Sequence, residues 1–174
     1  RSLADAHFLI PQTRVLDGLD EGVSAAWQRA LRILREAGAT LTEQPMPLLN
    51  ELDTLNARGG ITAYEAWQWH QAWVERAPAE YDPQVLLRIR RGSALTAQDA
   101  EQLYQLRRTW QQQVSDFLLP FDALLMPTVP LIAPTIAELD DEERYREVNL
   151  LMLRNTSVIN MLDGCAISLP CHTP

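Results

Sequence analysis

A chain of 174 residues is long enough for one domain with a hydrophobic core, and 47% hydrophobic residues with five Trp exclude a disordered chain. A formal net charge of −8, with no run of positive residues gathered on one face, repels a phosphate backbone and excludes nucleic acid as a direct partner. No apolar stretch approaches the length of a membrane span and no basic-then-apolar leader opens the chain, so no membrane association is expected and the location expected is cytoplasmic.

All fifteen positive residues are Arg; the chain contains no Lys. It opens at Arg1 without a Met and stops at Thr173-Pro174 just after a strand-like run, so both ends are expected to be cuts through a longer protein. Cys165 and Cys171 have no zinc-spaced partners, and they read as free thiols at the end of a buried strand.

His7 to Pro11 is a short apolar run that predicts a strand, followed by a turn at Asp17-Gly18. Asp20 is placed to cap a helix carrying Val23, Ala26, Trp27, Ala30, Leu31, Leu34 and Ala37 at helical spacing, closed by a left-handed Gly38. Thr40 to Gln44 predicts a second strand, parallel to the first across this helix. The class is therefore α/β.

From Pro45 to about Pro120 the pattern is helical, broken by Gly59-Gly60, Pro78, Pro83 and Gly92. Thr62 with Glu65 has the spacing of a capping box for a helix bearing Tyr64, Trp67, His70, Trp73 and Val74; Asp82-Pro83 starts a short helix ending at Gly92. Thr96 with Asp99 starts another, with Leu103, Leu106, Trp110, Val114, Phe117 and Leu118 on one face. Arg107 falls inside that stripe, which calls for a carboxylate or several carbonyl oxygens, Asp122 being the leading candidate. Trp67 and Trp69 cannot share one helix face, so at least one Trp of the Trp67, Trp69, Trp73 group is expected to be exposed or covered by a partner.

Phe121 to Met126 predicts a third strand, and Pro127, Pro130 and Pro134 force an extended loop at its carboxyl end, a place where ligands bind. A charged stretch, Glu138 to Glu147, leads to a last helix with Val148, Leu151, Met152, Ile159 and Leu162 on one face, and Ala166 to Leu169 predicts a fourth strand.

Three segments carry a resemblance. Phe121-Asp122-Ala123-Leu124-Leu125-Met126-Pro127-Thr128-Val129-Pro130 resembles the "FD-x-LL-x-PT-x-P" strand and loop of the amidase signature family. Asn160 through Cys171, ending Ala166-Ile167-Ser168-Leu169-Pro170-Cys171, is similar to its "N-x-x-G-x-P-A-[IL]-S-[VL]-P" run. Val85, Arg88, Ile89 and Gly92, followed by Tyr104 and Arg107, resemble the helix pair between them. The resemblance covers the whole chain and implies the C-terminal portion of a single amidase domain over 1–174, with mixed sheet strands and a large helical block.

The family's chemistry uses a Ser nucleophile, a second Ser on a cis peptide and a Lys as general base, because a desolvated Lys is neutral near pH 7 and takes up a relayed proton. With no Lys and no adjacent Ser pair, this chain is expected to hold none of these catalytic residues and to be inactive by itself. Of its three His, none belongs to a nucleophile-elbow pattern, and His70 reads as a partly buried helix-face residue. The resemblance implies no cofactor and no metal, and a small amide as substrate of the longer protein; separated from its N-terminal part the chain loses sheet neighbours, so it is expected to present unpaired strand edges and apolar surface and to associate as a homo-oligomer.

Two substrate-binding candidates follow from it. Arg88 matches a family Arg able to face the pocket, where its fork suits a carboxylate or carbonyl; the other reading is an ion pair near a helix C-terminus. Thr128, on the extended loop, either lines the pocket or satisfies nearby backbone. Leu153 stands where the glutamine-using amidotransferase A subunits carry an acidic residue, which leaves that branch as the runner-up. Cys165 replaces a usual Pro, Asp163 an often-found Gly, and His172 a common Gly. A different class of function, a helical interaction module presenting its Trp cluster, remains as an alternative.

Overall fold

The computed structural model describes residues 2–172; Arg1 and Thr173-Pro174, where the sequence reading placed its cuts, lie outside the described residues. The chain divides into two units, one of residues up to Leu49 with those from Gln113 onward, the other Asn50–Gln112.

The first unit is built on a sheet of order β2-β1-β3. β1 (His7–Pro11) pairs in parallel with β2 (Thr40–Gln44), His7 opposite Thr40 and Pro11 opposite Gln44. On its other side it pairs in parallel with β3 (Ala123–Leu124), Phe8 opposite Ala123. The central position of β1 accounts for its unbroken apolar run, since Leu9, Ile10 and Pro11 are buried. Between β1 and β2 runs α1 (Glu21–Glu36), capped by Asp20, and Gly38 has φ 91°. Trp27 and Leu31 of α1 pack with Ile10, Leu16, Leu19, Leu41 and Leu125. Burying each such large side chain contributes about 1.5–3 kcal/mol.

β3 is two residues long, not the six from Phe121 to Met126. Asp122 limits its start, because its carboxylate takes the His7 N–H at 2.8 Å while its own N–H donates to the His7 carbonyl at 2.8 Å. After Leu125 the prolines take over. The last helix, α6 (Glu142–Leu162), begins at Asp141, whose carboxylate accepts the Arg144 N–H. Its buried residues are Val148, Asn155 and Val158, whereas Leu151, Met152, Ile159 and Leu162 are half-buried.

The helix ends at Asp163, held left-handed at φ 61°, with the Gly164 N–H returning to the Ile159 carbonyl. This conformation costs an L-residue with a Cβ, which is the physical reason a Gly suits the position. Asp163→Gly is expected to stabilise the protein by roughly 0.5 kcal/mol, and Asp163→Val to destabilise it. Thermal melting of both variants checks the pair; a lower Tm for Asp163→Gly would remove the strain.

The expected fourth strand over Ala166 to Leu169 does not form: residues 164–172 have no regular structure, and Ile167 is 82% exposed. A strand exists by pairing, and none of the three described strands pairs with this run. Cys165 and Cys171 are free, as read, but exposed and not at the end of a buried strand.

The second unit begins with a short α2 (Leu52–Leu55) and then α3 (Gly60–Arg76). The capping box read into Thr62 and Glu65 is absent. The chain enters α3 through three successive positive φ angles at Arg58, Gly59 and Gly60, which places Thr62 inside the first turn. Gly60, at φ 62° and ψ −163°, occupies a region open essentially to Gly alone. The Glu65 carboxylate instead accepts the Tyr104 hydroxyl at 2.5 Å, which pushes that phenol up to about 12.

α4 (Pro83–Arg91) and α5 (Ala97–Leu118) start where the sequence places them, on Asp82 and on the Thr96–Asp99 box. On α5, Trp110 and Val114 are buried, but Leu106 is exposed, a correction to the stripe, and Arg107 is half-buried. Gly92 closes α4 at the tightest approach in the chain's glycines. A Cβ there would lie 1.9 Å from the Ala63 carbonyl oxygen and 2.7 Å from the Trp67 Cβ on α3. His70 is half-buried with its Nδ1 2.9 Å from the Tyr81 hydroxyl. Trp69 is 85% exposed, which meets the expectation for the Trp group, and Trp73 lies under the Arg76 guanidinium.

Candidate functional site

In a parallel sheet the carboxyl ends of the strands are where ligands bind. Here two loops emerge at that end, residues 12–20 after β1 and 125–136 after β3. The second is kept out of regular structure by Pro127, Pro130 and Pro134.

Asp20 fastens this loop to the start of α1. One carboxylate oxygen accepts the Val23 N–H at 2.6 Å, the other accepts the Ile132 N–H at 2.5 Å, and the Asp20 N–H donates to the Pro130 carbonyl at 2.9 Å. The Val23 and Ile132 amides hold the carboxyl below its usual range. A pKa depressed by folding contributes stability that is complete above the ordinary carboxylate value and is lost as pH falls through the folded one. The protein is therefore expected to lose Tm as pH drops below about 4. Asp20→Asn keeps the Val23 cap through its carbonyl oxygen, cannot accept from Ile132, and should show a shallower acid loss. Equal acid slopes for the two proteins would show that Asp20 does not titrate this way.

A second fastening comes from α6. Asn155, with no exposed surface, donates from its one amide nitrogen to the Val15 carbonyl at 2.9 Å and the Pro127 carbonyl at 2.8 Å. Its amide oxygen accepts from Arg154 Nε at 3.0 Å. Arg154 continues the network, donating to the Asp17 carbonyl at 2.7 Å and the Val15 carbonyl at 3.3 Å. Burial holds its guanidinium below the usual value, yet an Arg stays charged throughout the working pH range.

Sequence reasoning missed this pair, although a signal existed. Asn155 lies three residues after Met152 and four before Ile159, squarely on the apolar stripe. A polar amide there must find partners.

Thr128 sits on the loop after β3, exposed, with its hydroxyl 2.8 Å from that of Ser168. Arg88 is half-buried in α4, in the second unit, while Thr128 belongs to the first. Among the described residues no group of three or more His, Cys, Asp or Glu could hold a metal ion. Among the same residues no helix is long and apolar enough to cross a membrane.

The sequence profile of the family described as Amidase matches residues 8–174. The chain is 28% identical over 166 residues to the 2-amino-5-chloromuconic acid deaminase of Comamonas testosteroni, covering 92% of this chain and 35% of that protein. It is 27% identical over 165 residues to an amidase of Pseudomonas putida, covering 93% of this chain and 35% of that protein. Among solved structures, the K. lactis urea amidolyase matches with a TM-score of 0.80 at 24% identity, over 92% of this chain and 10% of that one, a likeness of fold. The chain thus spans 35% of the length of the curated relatives it matches. On the profile match over nearly its full length, the chain belongs to the Amidase family.

Proposed function

We propose that this chain is the C-terminal portion of an amidase that cleaves carbon–nitrogen amide bonds, supplying a wall of the substrate pocket. The nucleophilic Ser, the second Ser and the general-base Lys lie in a part of the protein that precedes it. The observation that carries this reading is the family match over residues 8–174 in a chain that spans 35% of its relatives and contains no Lys.

In that division of labour the chain binds and orients. Thr128 offers its hydroxyl on the loop at the carboxyl end of β3, and Arg88 offers a fork that suits a carboxylate or a carbonyl oxygen. An acidic amide is the substrate class this fork fits. Glutamine is disfavoured, because Leu153 brings no countercharge for its α-ammonium group.

The reading frame upstream of Arg1 should encode a Lys and a Gly/Ser-rich segment, and their absence would sink the proposal. The purified 174-residue chain is expected to turn over no amide, whereas the longer protein should hydrolyse members of a panel of succinamate, benzamide, acetamide and glutamine. Dose-dependent turnover by the 174-residue chain, blocked by a serine-directed inhibitor, would refute the assignment of catalysis elsewhere.

A further inference from the structure

The loop after β3 has few internal ties, since three prolines remove N–H donors and no regular structure follows Leu124 until residue 137. Its position is set by side-chain and backbone groups reaching in from elsewhere. Asn155 takes the Pro127 carbonyl, and Asp20 takes the Pro130 carbonyl and the Ile132 N–H. Thr128 stands between these fastenings, one residue beyond the carbonyl that Asn155 holds.

We infer that Asn155 is a positioning residue for the amide reaction: by tying the Pro127 carbonyl to the Val15 carbonyl it sets where Thr128 stands in the pocket, with Asp20 fixing the far end of the same loop. The inference rests on the proposed amidase function and on Thr128 lining the pocket.

The chemistry of the amide group suits the task. One nitrogen with two hydrogens meets two carbonyls that belong to loops more than a hundred residues apart, so both are satisfied by a rigid planar group inside a buried space. Its oxygen is engaged by Arg154 Nε, which fixes the orientation of the amide. Asn155→Asp retains the shape and the Arg154 bond while it replaces the donor with an oxygen facing two carbonyl oxygens. The loop then loses its tie and Thr128 shifts.

A shift of a binding group shows in KM, while a loss of folded protein lowers kcat per mole of chain and leaves KM in place. In the longer enzyme that carries this chain, with the best-used amide of the panel, Asn155→Asp is expected to raise KM about tenfold with kcat little changed. Thr128→Val should raise it also, and the double variant should match the more affected single one, since both act through one hydroxyl. Independent, multiplying effects in the double variant would overturn the inference, as would an unchanged KM with kcat falling in step with the titrated active-site fraction.

Should Asn155→Asp fail to fold, Asp20→Asn carries the test, because it releases Ile132 alone and keeps the helix cap. A KM rise of about threefold supports the inference and an unchanged KM overturns it. Absence of turnover by the wild-type enzyme on every amide overturns the amidase reading and the inference with it; turnover with unaltered KM in the variants overturns only the inference.

Discussion

Gly92→Ala should lower the stability of the protein by about 3 kcal/mol, the upper end of what overpacking a close contact costs. The added methyl carbon would meet the Ala63 carbonyl oxygen at 1.9 Å, and that oxygen belongs to the backbone of α3 rather than to the tip of a mobile side chain. Relief therefore demands moving a helix. The backbone angle at Gly92, φ −65°, is open to any residue, so the whole effect is steric. At about 2–4 °C per kcal/mol for a protein of this size, the melting temperature should fall by about 6–12 °C. A fall of less than about 1 °C would mean that α3 and the end of α4 are not in the contact described.

Asn155→Leu is expected to be as damaging for an electrostatic reason. The two side chains have the same number of heavy atoms, so no cavity forms, but the buried Pro127 carbonyl loses its Asn155 donor and the half-buried Arg154 Nε loses its acceptor. Each orphaned group costs about 1–3 kcal/mol, which gives a loss of about 3 kcal/mol or more. The Val15 carbonyl keeps its longer bond from Arg154 and softens the effect there. Asn155→Leu with wild-type stability in chemical denaturation would show that the amide network contributes no net stability.

The β1-α1-β2 segment was legible because each of its signals is local. An Asp cap, a helical apolar stripe and a left-handed Gly all act within a few residues of themselves. The same holds for the starts of α4 and α5 at Asp82 and at Thr96 with Asp99. Where partners are distant, local reading failed. The spacing of Thr62 and Glu65 imitates a capping box, yet Glu65 is spent on Tyr104, a residue 39 positions away. Ala166 to Leu169 alternates as a strand does, but pairing decides a strand and no described neighbour supplies it.

Part of the candidate site could be read in the same way. The loop that carries Thr128 is legible because the prolines around it mark an extended stretch. For Asn155, its place on the apolar stripe of α6 says that a buried amide needs partners, but which carbonyls it meets, 140 and 28 positions away, no local pattern announces.

The sheet order carries a consequence for how the chain is made. β2 can join β1 as soon as Gln44 has emerged, but β3 arrives only at Ala123, after the whole of Asn50–Gln112 has been synthesised. At about 5–20 residues per second, the second edge of β1 waits roughly 4–16 s for its partner. During that interval a buried apolar strand offers an open ladder to any passing chain. Nascent-chain handling, more than equilibrium stability, would then set the yield of this protein at high expression, and slower translation between Gln44 and Ala123 would lower it.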